Sequence, residues 1–430
     1  MTTSVMHAKR ALSQNGTRCF GRAAAGAGCV NVTSWGSHQR SPGRPARRRG
    51  PERRAQDGVA LDGCTRAEDR MAERGLKTSL ISFAPSPKRW PAALTAAIAM
   101  AVPVAVATFF GLTPLGLLTG LGAFTALYCA PLSRRDRLRV LPLIGAGLVT
   151  AAALGVAMSG SRPLTAIGLI VVGSVVIWLV QGIVLGPPGA LFFILVFGIA
   201  GHLTAPVPIG GAGLDGGLVI LLVAAGSAFA SLVVVAPLLV PAIRRGAGKP
   251  TPMRVLFPEY RLSATDRRIA TRLTVALAIS ATLGAVLGLG HGYWIAGSAV
   301  AILSVGHSRT LSATRGVHRV LGTVVGAGIF LAVASLQPHG YILALVLAAL
   351  QFTIELVVIR HYALALVFIT PLVLIISTSS STQPVLAIVG ERVLDTLLGA
   401  AVAMVLLLVS WGRDRRRAAS PDAPGTPPIT

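Results

Sequence analysis

The chain alternates long apolar runs with short polar turns, most of them basic. Twelve runs dominated by Ala, Leu, Val, Ile and Gly lie near 91–110, 114–131, 140–158, 164–182, 190–206 and 217–243, then 273–290, 293–308, 320–336, 341–358, 363–379 and 384–411. A helix of about 20 apolar residues crosses the hydrocarbon core of a bilayer. An unpaired backbone group in lipid costs several kcal/mol, and no period-2 alternation of the kind that builds a barrel is present. The pattern predicts an all-α polytopic membrane protein of about twelve transmembrane helices. Composition agrees, with 53% hydrophobic and only 13% charged residues. A soluble domain carries about 25% charged residues, so an ordinary globular enzyme is excluded.

The first 70 residues break the pattern. They hold 13 Lys/Arg against 5 Asp/Glu, three of the four cysteines and no run of spanning length. They also lack the apolar centre of a secretory signal. The stretch reads as a disordered basic segment, or as one lying ahead of the true translation start, with Met71 the expected initiator. Residues 71–90 then serve as a cytoplasmic lead-in.

Net charge is +24, which raises nucleic acid as a partner, but its distribution removes that reading. From Met71 on there are 26 Lys/Arg; 24 fall in alternate loops and the two ends, Arg162 falls on the opposite side, and Arg392 lies inside a span. Such a bias places both termini in the cytoplasm, with the chain in the cell membrane and its basic turns against lipid headgroups. Cys19, Cys29, Cys64 and Cys129 show neither metal nor disulfide spacing.

The chain also contains itself. RVLPLIGAG at 139–147 reads against RVLGTVVGAG at 319–328, and each copy follows two apolar runs joined by a basic turn. With six runs in each half, this predicts two parallel six-helix repeats, 91–243 and 269–411. A cytoplasmic linker, 244–268, joins them, and a basic, Pro-rich tail, 412–430, follows.

Candidate chemistry is sparse. Ionisable side chains inside spans are costly and tend to face a cavity or a partner. They are Glu355, and Glu391, Arg392 and Asp395 in the last span. Glu391 and Asp395, four apart, share a helix face. Arg392 can hold a substrate carboxylate or Asp395 in competition, while a carboxylate takes a proton; a purely structural ion pair is the other reading. Arg315 and Arg319, one turn apart at the start of the ninth run, are positive-inside anchors or a collecting site for anions. Thr370-Pro371 inside the eleventh run frees a carbonyl and predicts a kink. Tyr293 and Trp294 read as an interfacial belt pair rather than a stacking site. Gly116/Gly120, Gly182/Gly186, Gly284/Gly288 and Gly322/Gly326 have the small-xxx-small spacing of close helix contacts. GAGLDG at 211–216 has no preceding strand, and GAGKPT at 246–251 lacks the first Gly and the Ser/Thr of a phosphate loop. No cofactor is implied, so transport would draw on ion or substrate gradients.

Residues 293–328, YWIAGSAVAILSVGHSRTLSATRGVHRVLGTVVGAG, carry a Tyr-Trp pair and an Arg-x-x-x-Arg-x-x-Gly-Thr-x-x-Gly run at Arg315, Arg319, Gly322, Thr323 and Gly326. With HYALALVFITPL at 361–372 and ERVLDTLLGA at 391–400, the second half resembles the fusaric acid resistance family of aromatic acid exporters. More distantly it is similar to plant malate channels. The first half matches only through the internal repeat. The resemblance implies a proton-driven exporter of small organic anions, with no enzymatic activity. A passive anion channel and a non-transporting membrane scaffold stay open beside it, as does self-association.

Overall fold

The computed structural model describes residue 83 and residues 89–418, apart from 184, 247–248, 258–259, 305–308, 380 and 382. The basic segment 1–70, nearly all of the 71–90 lead-in, and residues 419–430 of the tail lie outside the described residues. Among those described, all regular structure is helical.

Every predicted apolar run is a helix. We number them α1 (Trp90–Phe109), α2 (Thr113–Leu127), α3 (Arg134–Ala157), α4 (Arg162–Ile183), α5 (Leu191–Thr204), α6 (Gly216–Leu239), α7 (Ala264–Val286), α8 (Tyr293–Leu303), α9 (Arg309–Ser335), α10 (Gly340–Val357), α11 (Tyr362–Thr378) and α12 (Val385–Ala418). Eight are long and apolar enough to cross a membrane; α2, α5, α8 and α11 are shorter. At 1.5 Å per residue, the 11 residues of α8 reach about 16 Å, half the hydrocarbon thickness. The short helices are the second and fifth of each half. The last helix continues to Ala418, seven residues beyond the expected start of the tail.

Chain chemistry sets the helix ends. Ser133 caps α3, accepting from the Asp136 backbone N–H at 3.2 Å. Ser263 and Asp266 form a reciprocal capping box on α7. Asp215 caps α6, accepting from Leu218 N–H at 2.7 Å. The 244–268 segment is not a free linker: it carries the helical turns Pro241–Gly246 and Met253–Leu256, and α7 begins inside it at Ala264. Asp136 of α3 accepts from the Thr251 backbone N–H at 2.7 Å and its hydroxyl at 3.0 Å, and the Tyr260 ring lies against Gly182.

Packing follows one scheme in both halves. In the first, α2 packs on α1 and α6, and α3 on α5 and α6; in the second, α8 packs on α7 and α12, and α9 on α11 and α12. Three further contacts join the halves, α1 with α10, α4 with α7 and α5 with α8. Apolar side chains on the remaining faces, such as Val175, Leu221, Leu345 and Leu386, are exposed, as a lipid-facing surface requires.

Glycine makes the tightest crossings possible. A Cβ on Gly122 of α2 would collide with the α6 backbone at Val223 and Ser227, and one on Gly226 with Thr119 O. A Cβ on Gly399 of α12 would stand 2.6 Å from Ile295 O of α8. On α9, a Cβ at Gly322 would meet Ala363 O at 2.6 Å, and one at Gly326 would meet Val367 O and Thr370 Cβ at 2.8 Å, so the Gly-Thr-x-x-Gly run is the α9–α11 contact. Gly116 and Gly120 likewise press α2 onto Val104 and Met100 of α1. The Gly182/Gly186 pair is a different device: Gly182 faces the Tyr260 ring, and Gly186 is a turn residue at φ +76. Gly284 meets Gly292 rather than a facing helix, and Gly288 ends its segment at φ +67.

We expect Gly399→Val to separate α8 from α12 and lower stability by about 1–3 kcal/mol. Gly328→Val, at a position with nothing within 4 Å of its Cβ, should leave stability unchanged. Thermal melting of the purified protein in detergent compares the two.

Candidate functional site

The polar side chains that the apolar pattern leaves inside the second half converge where α8, α9, α11 and α12 meet. Asp395 sits ten residues into α12 and is fully buried, with neither carboxylate oxygen hydrogen-bonded. Arg392, one turn earlier and 5% exposed, lays its guanidinium over the Trp294 ring at 3.5 Å from the centroid. Its Nε has no hydrogen-bond partner, nor has Trp294 Nε1. The Arg392–Asp395 pair expected from spacing therefore does not form as a hydrogen-bonded ion pair. The cation rests on an aromatic face, and the carboxylate, within Coulombic reach of it, accepts no hydrogen bond. Thr396 turns its hydroxyl back to Arg392 O at 2.9 Å, which satisfies it locally.

Arg319 of α9 donates to Tyr362 Oη at 2.9 Å, and Arg315 stacks over the same ring at 4.5 Å. Both arginines thus converge on the N-terminus of α11, where His318 and His361 stack at 5.8 Å. Arg319 is 7% exposed, its Nε is unpartnered, and it lies within Coulombic reach of Arg392. As an anchor it would point to headgroups; it points inward. Arg315 Nη1 also reaches Ala301 O, near the end of α8, at 3.5 Å, a carbonyl that the Ser304 hydroxyl also bonds. In the first half Arg137 does the comparable work, donating to Ala126 O at 2.6 Å and Tyr128 O at 3.1 Å at the end of α2.

Thr370 is fully buried beside Gly326, and its hydroxyl is unpartnered, as is that of Thr323 one turn below. Pro371 lies inside α11, as expected. Glu355, by contrast, is paired with Arg89 at the start of α1 at 3.0 Å, a structural tie between the halves.

Glu391 takes its partner from the chain ahead of α8. It bonds His291 Nδ1 at 2.5 Å, and the His291 ring stacks on His202 of α5 at 4.2 Å. Tyr293 and Trp294 are 7% and 4% exposed, which overturns their assignment to an interfacial belt. They are stacking residues, covered because α8 is buried along its whole length.

Residues 277–406 match the fusaric acid resistance protein-like family. That segment contains Trp294, Arg315, Arg319, Thr370, Glu391, Arg392 and Asp395. The chain is also 30% identical over 127 residues to the uncharacterized membrane protein YvaC of Bacillus subtilis (strain 168), an alignment covering 29% of this chain and 20% of that protein. The chain thus spans about a fifth of that relative's length. No solved structure matches. The family segment and the unpartnered buried polar groups fall in the same half. At the positions where α6 crosses α2 through Gly226, the first half offers only Thr125 and Ser227, hydrogen-bonded to each other at 3.1 Å.

Because Asp395 accepts no hydrogen bond and Arg392 is held by the Trp294 ring, Asp395→Asn should leave the melting temperature unchanged or raise it, since no hydrogen-bonded ion pair is broken. Arg392→Gln should lower it, by roughly 1–2 kcal/mol of lost ring contact. Equal losses in both variants would mean that the two side chains support each other after all.

Proposed function

We propose that this protein is a secondary active transporter that exports small organic anions, aromatic carboxylic acids among them, in exchange for protons. One observation carries the reading. A guanidinium is buried against an indole face inside a membrane helix, and a carboxylate one turn away has no hydrogen-bond partner. Burying either charge alone is expensive, and proteins keep such groups where a ligand or proton completes them. An aromatic carboxylate matches both parts: its ring suits the Trp294 face, and its charge suits Arg392 and Arg319. Asp395 is then the group that takes a proton when the anion leaves. Thr323 and Thr370 offer hydroxyls along the α9–α11 contact. Fusaric acid, after which the matching family is named, is itself an aromatic carboxylic acid.

In this reading all twelve helices form the membrane unit, as two parallel six-helix repeats. The equivalent packing pairs and the short helices at second and fifth position in each half support it. The charge bias puts both termini and the 244–268 segment in the cytoplasm of a cell with this protein in its plasma membrane. Arg315 and Arg319 then stand on the cytoplasmic route to Arg392.

Uptake of labelled aromatic acids into proteoliposomes, with and without an imposed pH gradient, tests the function. Arg392→Gln should abolish transport, a loss of 100-fold or more. Asp395→Asn should keep substrate exchange and lose the response to the gradient. Full transport with unchanged gradient dependence in both variants removes the cluster from the mechanism, and flux that ignores the gradient in the unaltered chain identifies a passive channel. Topology has its own check. Single cysteines at Arg162 and Asp215 should react with an impermeant maleimide on intact cells, while one at Lys249 should not; labelling at Lys249 would overturn the orientation.

A further inference from the structure

A small open cleft of about 70 Å³ lies between the halves, walled by α4, α5, α7 and the segments 205–211 and 289–293. Its residues include Arg162, Thr165, Gly201, His202, Gly210 and Tyr293. It opens on the face that carries Arg162 and Asp215, the outer face in the orientation proposed above, opposite to Arg315. The mechanism so far uses neither the cleft nor the two histidines beside it.

Their geometry forms a continuous chain. His202, in the last turn of α5, lines the cleft. Its ring lies 4.2 Å from that of His291, which is 4% exposed. His291 Nδ1 bonds Glu391 Oε2 at 2.5 Å, while its Nε2 is buried and has no hydrogen-bond partner. Glu391 lies one helical turn from Asp395, on the same face of α12. We infer that His202, His291 and Glu391 form a proton relay that joins the cleft to Asp395. This rests on the proton-coupled reading above and names its route.

The steps balance without a co-reactant. A proton from the outer solution binds a ring nitrogen of His202 and passes to His291 Nε2. His291 Nδ1 releases a proton to Glu391, and the Glu391 carboxyl passes it to the Asp395 carboxylate. Each group regains its proton from the one before it, and only N–H and O–H bonds change. The two rings are in direct contact at 4.2 Å, so the transfer needs a rotation of one ring that brings a nitrogen of His202 to the unpartnered His291 Nε2. A histidine can take a proton at one nitrogen while giving one at the other. The charged and titratable groups facing the relay are few. Arg162 shares the cleft from α4, Tyr293 and Trp294 flank both histidines from α8, and Arg392 stands beside Glu391 on α12. From α7 the cleft receives Ala281, Gly284 and Ala285, none of which titrates.

The test uses the full chain in proteoliposomes with radiolabelled benzoate as the probe. Two rates are measured: accumulation driven by a pH gradient, and benzoate exchange at equal pH. His202→Gln and His291→Gln should each lower gradient-driven accumulation at least tenfold and leave exchange within twofold of the unaltered protein. If His291→Gln, the more buried of the two, fails to fold, His202→Gln at the cleft wall carries the test. Wild-type accumulation in the variants would overturn the relay, and so would equal loss of both rates, which would make the histidines structural. An unaltered protein whose benzoate flux ignores the gradient would fail the proton-coupling reading itself; gradient dependence that survives in both variants would overturn the relay alone.

Discussion

The contact of helix backbone on helix backbone through glycine organises this protein. In lipid the hydrophobic effect gives little drive for helices to associate, so close packing must hold them. Gly122 and Gly226 bring α2 and α6 to backbone contact, Gly399 does so for α12 against α8, and Gly322 and Gly326 for α9 against α11. These are also the crossings that seat the short helices. A helix of 11 residues such as α8 cannot span alone, and it is stable at membrane depth only when protein covers it on all sides. Its ends must also be answered: Arg272 donates to Leu303 O at 2.7 Å, and Arg315 reaches Ala301 O.

That burial creates the site. Trp294 opens α8, so covering α8 carries the indole inward from the boundary where such residues usually sit. Gly399 holds α12 against the same helix, and Arg392, two turns before it, then falls on the indole face. With the guanidinium held by a ring, Asp395 has no hydrogen-bonded counter-ion. A buried carboxylate without one is where a proton or a ligand-linked cation has most effect, and the site thus follows from how short helices are packed rather than from a motif.

The halves share a packing scheme but not a chemistry. Where α12 carries Arg392 and Asp395 near its crossing with α8, α6 meets α2 with a Thr125–Ser227 hydrogen bond. The first half satisfies its polar groups internally, Arg137 on carbonyls and Asp136 on Thr251, while the second leaves them open. The cleft with His202 lies at the seam, so the first half contributes a wall and one histidine rather than a second centre.

The order of polar and apolar residues determined the helical fold, the membrane setting and helix bounds to within a few residues for most runs, because a bilayer admits few structures and each run must satisfy its own backbone. It also marked Arg392 and Asp395 as buried, since they stand inside an apolar run whatever surrounds them; the burial of Arg319, Arg137 and His291 came from tertiary packing. Spacing marked Gly322 and Gly326 as a contact, but not the pairings of side chains far apart in the chain. His291 and Glu391 are 100 residues apart, and Arg319 and Tyr362 are 43 apart. Glu391, Arg392 and Asp395 looked like one cluster because they are neighbours on one helix. Tertiary structure divided them: each meets a different surface, His291, Trp294 or nothing, and helix period says which way a side chain points without saying what is there.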